Sequence, residues 1–192
     1  MLIQKLAAAQ LIQLGRFSTE DGVTPVRFHL EMLASYPNAL NEAAQLVAAH
    51  MPEVDHLVCD VESLALAAVV SQITNIPLAY SRKPVSSAID LCGAYDIGHP
   101  AVLILNVAEN ALVNDFISAA RRVGLSIQET IVLCDPGIAS LNCPLRGLFT
   151  LEDYLDFLVS ENRLHPRQAV WIRDWQRQKA GLIPHHPGSA AP

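Results

Sequence analysis

Residues 98–112, Gly-His-Pro-Ala-Val-Leu-Ile-Leu-Asn-Val-Ala-Glu-Asn-Ala-Leu, constrain this chain more than any other stretch. Residues 101–105 form an unbroken apolar run. The turn-like Gly98-His99-Pro100 precedes it, and a helical pattern follows. A strand that is apolar at every position must be covered on both faces, and a parallel sheet between layers of helices does this. In open sheets of this kind ligands bind beyond the carboxyl ends of the strands. Residues 106–111 are therefore where a site is expected.

The rest of the chain supplies what such a sheet needs. Strands are predicted at His56-Leu57-Val58-Cys59, at Ile76-Pro77-Leu78-Ala79-Tyr80, at 127–135 and at Leu148-Phe149-Thr150, giving about five with the central run. Helices are predicted between them. The first covers residues 1–15, with Leu2, Leu6, Leu11 and Leu14 near helical spacing and Gly15 as its stop. Tyr36-Pro37 opens a second, with Leu40, Ala43, Ala44, Val47 and Ala48 as its apolar face. A third runs over 63–74, and a fourth buries Leu112, Phe116, Ala119, Ala120 and Val123 before Gly124. Thr150, with Asp153 three residues on, reads as a helix start. A polar helix over 165–180 carries Trp171 and Trp175 on one face, a second candidate contact surface. Val26, Phe28 and Leu30 alternate with Arg27 and His29 as a half-buried strand. At 192 residues the expectation is one α/β domain over 1–182, with a tail at 183–192 too rich in Pro, Gly, Ser and Ala to order.

Charge and cysteine usage exclude several classes. The net charge is −6 and no basic run occurs, which argues against nucleic acid as a partner. No apolar run reaches the ~18 residues of a membrane span, and the N-terminal stretch lacks the features of a secretory signal. Cys59, Cys92, Cys134 and Cys143 show no C-x-x-C spacing and read as reduced thiols of a cytoplasmic protein. His185-His186 lies in the tail without a scaffold, so no metal site is expected there.

The order of elements over about residues 12–160, with Gly93, Gly98, the 101–105 strand and Val107, resembles the type I phosphoribosyltransferases, and among them the orotate phosphoribosyltransferases. Phe17, Gly22, Pro25 and Phe28 resemble that family's N-terminal hood, here about 15–32. Arg82-Lys83 matches its basic pair after the second core strand, and the apolar strand ending at Asp135 and the phrase 148–154 match later landmarks. The resemblance implies a parallel sheet flanked by helices, a homodimer, and transfer of ribose 5-phosphate from a magnesium-bound pyrophosphate donor to orotate.

The residues that would carry that chemistry differ. The family's adjacent acids, which bind the ribose hydroxyls, fall on Leu105 and Asn106. Its Thr- and Gly-rich phosphate loop becomes Ala108-Glu109-Asn110-Ala111. A hood lysine becomes Glu20, and the pyrophosphate loop carries Asp60 and Glu62. Residues 84–90, in place of a mobile catalytic loop, contain no Lys, Arg or His. Two like charges ~4 Å apart repel by about 1 kcal/mol in water and about 4 kcal/mol at an effective dielectric near 20. Four acids around one crevice therefore oppose a polyphosphate. The expectation is an inactive member with a binding, scaffold or regulatory role, for which a protein partner is one candidate. In it Arg82, Lys83, Asn106, Glu109, Asn110, Glu20, Asp60 and Glu62 mark the vestigial site, with no catalytic residue and no metal. Two alternatives stand: an active orotate phosphoribosyltransferase with an atypical site, using Mg²⁺, and an acidic pocket re-used for a cationic or neutral ligand.

Overall fold

The computed structural model describes residues 1–19, 22–81, 90–94, 97–108, 110–138 and 143–181. Its centre is a six-stranded sheet of β3 (His56–Cys59), β4 (Leu78–Ser81), β5 (Leu91–Cys92), β6 (Pro100–Val107), β7 (Ser126–Asp135) and β8 (Leu145–Thr150). The order across the sheet is β5-β4-β3-β6-β7-β8. All neighbours run parallel except the β4–β5 pair. The five parallel strands are the five the sequence pattern predicts. The sixth, two residues long, lies in a stretch without alternation or an apolar run, so periodicity carries no signal for it.

Side-chain alternation along β6 builds two cores. Val102 and Ile104 enter one cluster, while Ala101, Leu103 and Leu105 enter the cluster on the opposite face. The first cluster is covered by α1 (Leu2–Ala8), α2 (Pro37–His50), α3 (Leu64–Thr74) and α5 (Leu151–Ser160). The second is covered by α4 (Asn110–Arg122), which contributes Val113, Phe116, Ile117 and Ala120 at i, i+3, i+4 and i+7. Gly124, at φ +85°, ends α4 in the left-handed conformation that glycine adopts without penalty. Thr150 and Asp153 form a reciprocal capping box at the start of α5. On α6 (Pro166–Lys179), Trp171 and Trp175 pack against the first cluster.

The N-terminal helix departs from its expected length. It ends at Ala8, not Gly15, because Gln10 turns left-handed at φ +54°. The Leu11 N–H then reaches Leu6 O at 3.1 Å and the Gln10 N–H reaches Ala7 O at 3.3 Å, a Schellman closure built without glycine. Leu11 and Leu14, which look helical by spacing, lie beyond it. A hairpin follows, β1 (Ile12–Thr19) and β2 (Gly22–Phe28), so the hood begins before residue 15 and its strands end at Phe28. Residues 182–192, including His185-His186, lie outside the described residues. Among the described residues no helix is long and apolar enough to cross a membrane.

Candidate functional site

The crevice lies above the carboxyl ends of β3 and β6. β3 runs directly into loop 60–63 and then α3, and β6 delivers Asn106 beside that loop. Ser63 joins the two. Its hydroxyl accepts the Asn106 backbone N–H at 2.8 Å, and Asn106 Nδ2 donates to the Glu62 carbonyl oxygen at 2.9 Å. The Ser63 side chain is fully buried and Asn106 is 8% exposed. Ser63 sits at the N-cap of α3, yet its hydroxyl makes no cap bond to that helix. It serves the neighbouring strand instead.

Two donors at the start of α3 are occupied as well. Asp60 Oδ1 accepts the Ser63 N–H at 2.8 Å, and Val61 O accepts the Leu64 N–H at 3.4 Å. An anion at a helix N-terminus depends on such N–H groups being available. Here a carboxylate of the chain itself stands on one of them. Burial pushes the Asp60 carboxyl above the ordinary aspartate range, and its bonds with Ser63 pull it back only in part. The beginning of the chain's own loop thus resembles an anion site already filled.

The structure brings together three of the sequence-predicted positions, Asp60, Glu62 and Asn106, with Ser63 between them. Asn110 opens α4. Glu20, Arg82, Lys83 and Glu109 lie outside the described residues. Leu105, where an acid would stand, is buried in the cluster beneath the sheet. Among the described residues no three His, Cys, Asp or Glu side chains converge as metal ligands. Cys59 and Cys134 are free and buried, and burial raises both thiols above the usual range. Such thiols are not poised as nucleophiles. Sequence reasoning missed Ser63 as the link. The signal available was the Asp60-x-x-Ser63 spacing, which suits an aspartate accepting the N–H three residues on.

A parallel sheet in this order, a hairpin hood and a loop-to-helix crevice above β3 and β6 define the type I phosphoribosyltransferase fold. Leishmania donovani UMP synthase shares it at a TM-score of 0.81 and 22% identity, over 92% of this chain. This chain spans 42% of that protein's length. The orotate phosphoribosyltransferase of Francisella tularensis matches at a TM-score of 0.70 and 17% identity, over 93% of this chain and 98% of that one. In sequence, the orotate phosphoribosyltransferase of Caenorhabditis elegans is 25% identical over 178 residues, 84% of this chain and 78% of that protein. No family model matches the chain. The chain is thus similar in fold to the type I phosphoribosyltransferases and in sequence to an orotate phosphoribosyltransferase.

Proposed function

We propose that this chain is an orotate phosphoribosyltransferase-like protein that has lost phosphoribosyl transfer and acts as a binding, scaffold or regulatory subunit. The observation that supports this reading is the self-satisfied crevice. The Ser63 N–H is held by Asp60, the Asn106 N–H by Ser63 Oγ, and the Asn106 side chain by the Glu62 carbonyl. A pyrophosphate entering the loop must displace the Asp60 carboxylate from its donor, against like charge. The exchange replaces one charge-assisted bond of the Ser63 N–H by another, so it gains little and leaves the displaced carboxylate beside the anion. Repulsion from Asp60 and Glu62, and from Glu20 and Glu109 where the family has Lys and Thr, acts in the same direction.

Asn106, Asn110, Asp60, Glu62, Glu20, Glu109, Arg82 and Lys83 are vestigial positions of the site in this reading, and none carries catalysis. No magnesium is required, since its partner, the pyrophosphate donor, is not held. The working unit is a homodimer, which sedimentation velocity reads directly.

Calorimetry with phosphoribosyl pyrophosphate and Mg²⁺, with and without orotate, tests the proposal. The expected result is no saturable heat at millimolar ligand and no release of pyrophosphate. Micromolar binding with orotate-dependent turnover would establish instead an active transferase with an atypical site. Saturable binding of an amine, lost in the Asp60→Asn and Glu62→Gln variants, would establish an acidic pocket turned to cationic ligands.

A further inference from the structure

A second concavity lies away from the crevice. A groove of about 850 Å³ runs between β1, α5 and α6. All six residues from Ile12 to Phe17 line it. A groove on one face of a strand meets alternate residues, whereas one along its edge meets successive residues. The groove therefore follows the free edge of β1, whose only strand partner among the described residues is β2. Hydrogen bonds agree. The Leu11 carbonyl faces β2, accepting the His29 N–H at 2.8 Å, and the next carbonyl, of Ile12, faces the other way and accepts the Tyr154 hydroxyl at 3.0 Å. Alternation turns the Leu14 N–H and C=O to the same open edge.

The strand is also shaped there. Leu14 pairs with Val26 and Phe17 with Thr24, so Gly15 and Arg16 together oppose Pro25. Proline has no N–H to give to the ladder, and the bulge accommodates it. Bulging leaves Arg16 exposed beside the groove.

Charge marks the occupant. The lining includes Arg16 and Arg163 with Gln10, Gln13 and Gln168, and no carboxylate, in a chain of net charge −6. Arg163 donates one bond, from Nη2 to the Ala7 carbonyl at 2.9 Å, and has further donors on its guanidinium. Neither arginine forms an ion pair with a carboxylate among the described residues. Leu164 and the half-buried Trp171 supply apolar wall opposite the strand. Six strand residues extend about 20 Å at roughly 3.3 Å each, a span suited to an extended chain rather than a compact ligand.

We propose that β1 receives an extended acidic peptide segment of a partner protein as a third strand of the hood sheet. The partner's backbone pairs with the open edge at Leu14, an acidic side chain meets Arg16 and Arg163, and an apolar one lies on Trp171 and Leu164. Strand addition gives affinity through the main chain and selectivity through alternate side chains. The proposal gives the binding role suggested above a partner class, yet it uses no residue of the crevice. Failure of phosphoribosyl pyrophosphate to stay out of the crevice would leave it standing.

The test uses the full chain and a fluorescein-labelled decapeptide alternating Glu with Leu, read by anisotropy and by ¹⁵N amide shifts. Saturable binding is expected, with shifts concentrated at 12–17, at least tenfold weaker in Arg16→Glu and weakened by salt. N-methylation of alternate peptide residues on one edge is expected to abolish binding, while methylation on the other edge leaves it intact. Equal binding of a Lys-for-Glu peptide, indifference to N-methylation on both edges, shifts confined to other elements, or no saturation at millimolar peptide would each overturn the proposal. Displacement of the peptide by a compact anion such as ATP, itself shifting 12–17, would assign the groove to a small ligand and overturn it too.

Discussion

The crevice above β3 and β6 and the groove along β1 differ in sign and in openness. In the crevice, polar groups face one another: Asp60 holds Ser63, Ser63 holds Asn106, and Asn106 holds Glu62. Along β1 they face outward, with two arginines and three glutamines and no acid in the lining. At the crevice the Ser63 and Asn106 donors are taken up internally beside acidic residues, and cationic donors stand along β1. A shared frame thus says little about where a chain meets its ligands, because the frame is fixed by apolar burial while recognition is fixed by which polar groups are left without partners.

The largest expected effect breaks the contrast on the crevice side. Ser63→Ala leaves the Asn106 N–H buried without an acceptor and should cost about 1–3 kcal/mol of stability in denaturant unfolding. Asn106→Asp, which places an acid where the family resemblance implies one, should destabilise similarly, because the new carboxylate cannot donate to the Glu62 carbonyl, and it should not give turnover. A stable Asn106→Asp variant that made nucleotide would mean that the crevice is less tightly wired than described.

Next in size is Tyr154→Phe, which removes the donor to the Ile12 carbonyl at the groove. It should lower stability by about 1 kcal/mol while leaving peptide binding intact, since the freed carbonyl lies on the edge an added strand would use.

The smallest effect is a slope. The raised Asp60 carboxyl means the native state holds a proton that the unfolded chain releases above the ordinary value of 3.8. Native binding of more protons makes stability fall as pH rises through the window above that value. Asp60→Asn should flatten this part of the pH–stability curve. A steeper fall in the variant would contradict burial as the cause.

Much of the fold is legible in the chain because burial writes itself as apolar runs. His56 to Cys59 and residues 101–105 could only be strands covered on both faces, and Thr150 with Asp153 announces α5 by capping chemistry. The start of the chain is not legible in this way. Leu11 and Leu14 continue the spacing of Leu2 and Leu6, and only the left-handed turn at Gln10 and the packing of Leu11 and Ile12 in the core decide for a strand. Local periodicity cannot register that choice because tertiary burial makes it. The crevice was legible as a position and as a set of departures from the related enzymes. Its wiring was not, because a serine with no obvious role, Ser63, carries it. The groove was illegible altogether, since Arg16 and Arg163 come to line one groove only when β1 and the turn between α5 and α6 are brought together by the core.

The most direct test of the central claim is a ¹⁵N titration of the protein with phosphoribosyl pyrophosphate and Mg²⁺, following the backbone amides of Ser63 and Asn106. Both amides are expected to stay where they are at millimolar ligand, held by Asp60 and by the Ser63 hydroxyl. Saturable movement of the two together at micromolar ligand would show that the crevice opens to the sugar pyrophosphate and would contradict the account.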